Sequence, residues 1–409
     1  MLSNPLQLLK EYPKQLRLMF FGMLISTLGS SMIWPFLMIY VRQRVNLPLT
    51  QLASLMTINA AAAIIAAFVA GPITDRVGRK WVMVISLAGN SLVYFFMSEA
   101  HDFLSFALLL ALSGTFNPLY RVGADAMVAD LILPEKRPDA YALMRLSNNA
   151  GISIGPMLGG FISSLSFSVT FYFAGSGMII YSLLLALFAI ETLPKEAVQS
   201  DNIAKSFGGY FQVLRDTQFL TFIGAFILTQ MCALLIWILM PVYANSIFNI
   251  SESQYGFIPT TNALMVVFLQ VFITRITKRY RALPVMMVGT IFYAFGVGSV
   301  ALGKSFIGFW TSMVIMTLGE LILMPTSSTY VADLAPPNMR GRYMSIAGLT
   351  WSAAAGIAPV LGGYLNDSIA PVATWYGGFI IGILGAVGFF ILSKRPSNMQ
   401  HSISTSSIP

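Results

Sequence analysis

Long apolar segments separated by short polar stretches run through the whole chain. Each apolar segment is about 20 residues or longer, the length that an α-helix needs to cross the hydrocarbon core of a bilayer. A chain inside lipid must satisfy its own backbone hydrogen bonds, so such segments form helices. The pattern predicts an all-α membrane protein with twelve transmembrane helices, at residues 16–41, 51–70, 81–99, 103–126, 140–163, 169–190, 217–245, 254–274, 283–302, 306–329, 341–366 and 372–393.

The composition argues against a soluble protein. Hydrophobic residues make up 56% of the chain, charged residues only 10%, and the mean hydropathy is +0.74, whereas soluble domains carry roughly 25% charged residues. With one cysteine and two histidines, the sequence offers no disulfide framework and no metal-ligand cluster, and no cofactor is expected. The first apolar segment is too long for a cleavable signal sequence, so we expect it to remain as a span.

The basic residues are distributed unevenly between the connecting segments. If the N-terminus lies in the cytoplasm, 19 of the 24 Lys and Arg residues fall in cytoplasmic segments and three in outer loops, while Arg121 and Arg145 fall within spans. Cytoplasmic segments of membrane proteins carry such an excess. The distribution predicts a multi-pass protein of the cell (inner) membrane with both termini in the cytoplasm. It also accounts for the net charge of +8 without a nucleic-acid partner.

The second half of the sequence repeats the first. Nine identities recur at one offset of 203 residues, among them Asp130 with Asp333 and Pro156 with Pro359. The repeat predicts two six-helix pseudo-repeats, an N-terminal half at 1–191 and a C-terminal half at 217–394. A cytoplasmic linker at 192–216 would join them, and a short cytoplasmic tail at 395–409 would follow. An i, i+3, i+4, i+7 apolar pattern in the linker predicts an amphipathic helix on the membrane surface, with an ordinary flexible linker as the alternative.

The segment Gly71 to Lys80 carries the most informative motif, Gly-Pro-Ile-Thr-Asp-Arg-Val-Gly-Arg-Lys, between the second and third spans. The residues predict a tight charged turn, in which Gly78 permits the bend. Asp75 and Arg79 can each pair with a neighbouring helix there. The alternative is a basic cytoplasmic loop without such contacts.

This segment resembles the signature loop of the major facilitator superfamily, Gly-x-Leu-Ala-Asp-Arg-x-Gly-Arg-Lys. The resemblance implies that Asp75 faces the start of the eleventh helix, near Gly341, and that Arg79 pairs with Asp130. A carboxylate at a helix N-terminus is worth about 0.3–1 kcal/mol, so we expect the contacts to act as a latch that biases the cycle toward the outward-open state. The latch residues are Gly71, Asp75, Arg76, Gly78, Arg79, Lys80 and Asp130.

A second motif lies in the fifth predicted helix, where glycines recur around a proline. Small residues four apart let helix backbones approach closely, and the proline removes a backbone hydrogen bond and bends the helix. The segment resembles the antiporter motif Gly-x-x-x-Gly-Pro-x-x-Gly-Gly, which marks exporters of the superfamily, and plain helix packing is the alternative. The matching residues are Gly151, Gly155, Pro156, Gly159 and Gly160.

Acidic residues within the spans are candidates for proton coupling. Glu320 lies near the middle of the tenth span with no basic residue within four positions. Desolvation disfavours a charged carboxylate there, so Glu320 is predicted to carry the proton, and Asp125 is the second candidate. A cationic substrate that reached Glu320 would compete with the proton. The alternative is a packing acid neutralised by an arginine of the fourth helix.

Drug antiporters of the superfamily usually carry an arginine in the outer half of the fourth helix, where this chain has Leu112. Arg121 is the only basic residue of that span, about 13 Å further inward at 1.5 Å per residue. It either takes over the role of the missing arginine or pairs with Asp125 one turn away. Pairing is the favoured interpretation.

The remaining candidates are residues on the helices that line the path in this fold. In transporters built from repeats the substrate site lies near mid-membrane between the halves. Each candidate is individually more typical of a packing residue than of a ligand contact. The predicted cavity residues are Trp34, Asn59, Asn117, Arg121, Asn148, Asn149, Gln230, Trp237, Asn262 and Trp351.

Together these features resemble the drug:proton antiporter branch of the superfamily, which implies a secondary transporter and not an enzyme. Protons would drive out amphipathic or cationic compounds by alternating access. The expected partners are a small-molecule substrate, protons and the lipid bilayer, and a monomer is expected. The alternatives are a facilitator or symporter for a sugar or other metabolite, a lipid or lysolipid exporter, and a transport-inactive receptor. A phosphate-loop pattern at 298–305 ends a span instead of joining a strand to a helix, so an ATP-driven pump is not predicted.

Overall fold

The computed structural model describes residues 11–193, 213–336 and 339–394. Within these ranges twelve long α-helices follow one another and no β-strand is present, which confirms the predicted all-α membrane fold. The helices are α1 Lys14–Arg44, α2 Leu49–Val77, α3 Arg79–Glu99, α4 Phe103–Leu131, α5 Arg137–Leu165, α6 Phe167–Phe188, α7 Thr217–Phe248, α8 Glu252–Thr277, α9 Ala282–Leu302, α10 Phe306–Leu334, α11 Arg340–Ser368 and α12 Ala373–Lys394.

Eleven of the helices in the described ranges are long and apolar enough to cross a membrane. The remaining one, α5, is as long as α4, but charged residues, serines and a pair of asparagines interrupt its apolar sequence. Several helices also run past the predicted apolar segments. The segment predicted to end at residue 70 continues to Val77, because backbone hydrogen bonds extend the helix through polar residues beyond the hydrocarbon.

The same pairing of helices occurs twice along the chain. In the first set, α1 packs on α5 and α6, α3 on α4 and α6, and α2 on α4. In the second set, α7 packs on α11 and α12, α9 on α10 and α12, and α8 on α10. The expected amphipathic helix of the linker falls on residues 194–212, which lie outside the described ranges, as does the tail at 395–409.

The two sets meet through α2 with α11 and through α5 with α8. We call the end of the bundle with the α2–α3 turn the basic end, and the other the opposite end. At the opposite end, the backbone N–H and hydroxyl of Thr50 donate to Oδ2 of Asp367 at 2.8 and 2.7 Å. A Cβ on Gly160 would lie 2.4 Å from the carbonyl oxygen of Glu252, so α5 and α8 are also in backbone contact there.

The two sets separate toward the basic end. Among the described residues, Gly71 in α2 and Gly348 in α11 have no neighbour within 4 Å of the place where a Cβ would lie. Between the two ends, the hydroxyl of Thr57 still donates to the carbonyl oxygen of Gly356. In the described ranges, the interface between α2 and α11 is therefore closed at the opposite end, and the two glycines nearer the basic end show no contact across it.

Candidate functional site

The charged turn between α2 and α3 is built around Arg79. Gly78 ends α2 at a φ of +100°, a conformation that favours glycine. The side chain of Arg79, largely buried, donates from Nε to Oδ2 of Asp130 at 3.2 Å and forms an ion pair from Nη1 with Asp75 at 3.1 Å. The structure thus brings Arg79 and Asp130 together, as the resemblance implies.

Asp75 is placed differently from the expectation. Its side chain is 61% exposed and contacts Arg79, and among the described residues it has no hydrogen bond to α11. The separation of α2 from α11 at the basic end is the physical reason. Arg76 is exposed on the same turn. Within the described ranges, this conformation therefore does not show the predicted latch contact between Asp75 and α11.

Glu191, directly after α6, is a member of this cluster that the sequence analysis missed. Its carboxylate accepts hydrogen bonds from the backbone N–H groups of Arg79 and Lys80 at 2.9 and 3.2 Å. A negative charge at the N-terminus of α3 stabilises that helix. The only signal in the sequence is an acid at the end of the sixth apolar segment, and its partners lie more than 110 residues away.

The glycines of α5 allow two helices to approach closely. A Cβ on Gly155 would lie 1.9 Å from Oγ of Ser31 in α1, and one on Gly159 would lie 2.2 Å from the carbonyl oxygen of Met32. The hydroxyl of Ser31 also donates to the carbonyl oxygen of Gly151 at 2.9 Å. Larger residues at these positions would push α1 away from α5.

A cavity of about 430 Å³ lies where the two sets meet, with walls from α1, α3, α4, α5, α7 and α8. Four of the predicted cavity residues line it, Trp34, Asn117, Asn148 and Trp237. The volume is within the range of small-molecule sites, about 300–1,000 Å³. The sequence analysis missed further polar and aromatic lining residues, namely Thr27, Ser30, Ser31, Tyr94 and Ser113.

The other predicted cavity residues do not line this cavity. The amide of Asn59 donates to the carbonyl oxygen of Leu110 at 2.8 Å and joins α2 to α4. Gln230 is buried inside the second set with 3% exposure. Trp351 is 43% exposed on α11, and Arg121, Asn149 and Asn262 also lie outside the cavity wall.

Glu320 lies halfway along α10 and faces α8. The amide nitrogen of Asn262, which is buried, donates to Oε2 of Glu320 at 2.7 Å and to the hydroxyl of Thr317 at 2.9 Å. In the described part of the chain, no basic residue comes within 4 Å of this carboxylate. The alternative of a neutralising arginine from α4 is therefore not realised, and Glu320 is separate from the 430 Å³ cavity.

Arg121 and Asp125 do not form the favoured pair. No ion pair within 4 Å joins them in the described ranges. All three side chains are exposed, which gives them room to point apart. The hydroxyl of Tyr141 in α5 donates to the backbone oxygen of Asp125 at 2.9 Å and ties α5 to α4 at this level.

A model of the Major Facilitator Superfamily matches residues 19–247 and 225–407 of the chain. A Na(+), Li(+), K(+)/H(+) antiporter of Planococcus maritimus is 26% identical, over 94% of this chain and 95% of its own length. The multidrug resistance protein MdtH of Cronobacter sakazakii is 25% identical, over 79% of each chain. The crystal structure of the nucleoside transporter NupG superposes with a TM-score of 0.80 at 12% identity, over 94% of this chain and 100% of that one.

Proposed function

The chain belongs to the Major Facilitator Superfamily of secondary transporters, and we propose that it exports amphipathic small molecules across the cell membrane in exchange for protons. The observation that carries the proposal is the cavity between the two sets of helices. Trp34 from the first set and Trp237 from the second both line it. A site with walls from both sets can be exposed to either side when the sets rock against each other.

We propose that the basic end lies in the cytoplasm, because the Lys and Arg residues of the connecting segments concentrate there. The structure then corresponds to an inward-facing state, closed outside by Asp367 and Thr50. In the outward-open state the basic end would close and Asp75 would reach the start of α11. In the inward-facing state the Asp367–Thr50 contact would hold α2 against α11 at the opposite end. In the outward-open state Asp75 would hold the same two helices together at the basic end.

We assign proton carriage to Glu320. Its carboxylate lies midway along a membrane helix with an amide donor from Asn262 and no basic partner among the described residues. An ionisable residue within a span is costly and usually functional. Because Glu320 is not in the cavity wall, we place coupling in the packing of α8 and α10, since α8 contributes both Asn262 and the cavity residue Pro259.

Two further observations support export of amphipathic compounds. The cavity combines two tryptophans with a few hydroxyl and amide groups, whereas a sugar site would need many polar groups in the wall. The multidrug resistance protein and the antiporter described above are relatives over most of this chain. The membrane potential adds about 2.3 kcal/mol per charge per 100 mV to the driving force.

The test is transport by the purified protein in liposomes with an imposed pH gradient, against a panel of lipophilic cations, amphipathic anions, sugars and lysolipids. We expect gradient-driven movement of amphipathic compounds and none of sugars. Proton-driven movement of sugars alone would overturn the proposal. Movement of every compound without dependence on the gradient would identify a facilitator.

A further inference from the structure

Two arginines lie at one depth in the pathway. The contact between Tyr141 of α5 and Asp125 of α4 fixes the register of these antiparallel helices. Arg145 follows Tyr141 by four residues, and Arg121 precedes Asp125 by four, so each lies one turn, about 6 Å, nearer the opposite end. The Cα atoms of Arg121 and Arg145 therefore lie at a similar level on neighbouring helices.

Both arginines lie on helix faces that carry cavity residues. Residues three or four apart share one face of a helix, and Asn117 and Asn148, the cavity residues next along α4 and α5, are four and three residues from Arg121 and Arg145. Both arginines are exposed. A compound that entered from the basic end would pass between them before it reached the cavity.

The arginine pair carries a surplus of positive charge. Guanidinium groups stay protonated in proteins, and neither side chain has a hydrogen bond or an ion pair within the described residues. Asp125, one turn from Arg121, forms no ion pair with either arginine among the described residues. Two such charges within spans are costly to insert, and ionisable residues in spans usually mark function.

We propose that Arg121 and Arg145 bind the oxyanion group of amphipathic substrates, a carboxylate, sulfonate or phosphate monoester, while the 430 Å³ cavity takes the apolar body. The planar forks of arginine match these oxyanions in geometry and charge. Because the cavity begins one turn beyond the pair, a two-ring aromatic acid spans both. This assignment names the substrate class of the transport path proposed above and rests on that proposal.

The test uses three ligands with one body and different charge: 2-naphthoate, neutral 2-naphthamide and cationic 2-naphthylmethylammonium. Binding to the purified full-length protein is measured by quenching of tryptophan fluorescence, without a pH gradient. We expect naphthoate to bind at least tenfold more tightly than naphthamide. The double variant Arg121→Gln/Arg145→Gln should reduce that preference to less than twofold and leave naphthamide binding unchanged.

The control is Arg279→Gln, which removes an exposed arginine from the α8–α9 turn and should keep the preference. Arg145→Lys retains the positive charge without the planar guanidinium group, and it should lose part of the preference for naphthoate over naphthamide. This variant replaces the double variant if the latter does not fold. Tightest binding of the ammonium ligand by the wild type, or an unchanged preference in the double variant, would overturn the assignment.

The two proposals can fail separately. If naphthoate binds through the arginines but a pH gradient does not move it, proton-coupled export fails and the binding site stands. If the gradient drives transport but charge does not affect affinity, the binding site fails and the transport proposal stands.

Discussion

Removal of the Asp367 charge should release the closed end of the bundle. The Asp367 carboxylate accepts two hydrogen bonds from Thr50 at the N-terminus of α2. A hydrogen bond to a charged group is worth about 1.5–3 kcal/mol, but exposed charged contacts give only about 0–1 kcal/mol. Because Asp367 is exposed, we expect Asp367→Asn to cost this state about 1 kcal/mol, and the ratio of inward- to outward-facing molecules to fall about fivefold.

The assay measures the distance between two spin labels at the opposite end by double electron–electron resonance. Arg42→Cys in the first set and Lys304→Cys in the second place both labels at exposed positions. Cys232 is completely buried and should not react. Asp367→Asn should increase the population of long distances, which reports opening of that end.

A matched control is available at Asp102, which caps α4 within the first set by accepting from the backbone N–H of Ser105 at 3.0 Å. Hydrogen bonds from Ser105 lower the pKa of Asp102, so this carboxylate is charged at pH 7. Asp102→Asn removes a similar contact at a helix N-terminus. Because the contact between Asp102 and Ser105 lies within the first set, its loss should leave the distances between the two sets unchanged. If Asp367→Asn leaves the distances unchanged, or if Asp102→Asn shifts them equally, the Asp367 contact does not control the conformation.

Three further variants test the remaining contacts. Asp75→Asn should remove the outward-open latch and slow transport at least tenfold while expression and melting temperature stay near wild type; normal transport would exclude the latch. Gly155→Leu would clash with Ser31 and separate α1 from α5, so transport and the melting temperature should both fall. A fully active variant would show that the glycine motif has no role in transport. Glu191→Gln should destabilise the α3 cap by about 1 kcal/mol, measured as a lower melting temperature, and an unchanged value would mean that the cap contributes nothing.

Most of the fold could be predicted, because the length of an apolar segment has a direct physical meaning in a bilayer. The ends of the helices were harder to predict from the sequence. The segment predicted at 103–126 extends to Leu131, since charged residues that leave the hydrocarbon continue the helix. The glycines of α5 predicted close packing against another helix, but the sequence did not show that this helix is α1. The division into two moving halves stays a prediction.

The site was less predictable. Spans that are apolar on every face carry no periodicity that separates the cavity side from the lipid side, so only four of ten predicted cavity residues line the cavity. The pairing of Arg79 with Asp130 came from a motif resemblance and not from spacing. The contacts of Glu191 and Asp367 join positions more than 100 residues apart, and only the tertiary structure brings them together.

The most direct test of proton-coupled transport is the movement of protons driven by substrate alone. Purified protein in liposomes with a pH-sensitive dye inside receives a gradient of an amphipathic substrate and no pH gradient. Wild-type protein should move protons in the direction opposite to the substrate. Glu320→Gln should still pass substrate downhill and move no protons. Substrate movement without proton movement in the wild type would contradict the exchange mechanism, and proton movement by Glu320→Gln equal to wild type would transfer the carrier role to another acid, with Asp125 the next to be tested.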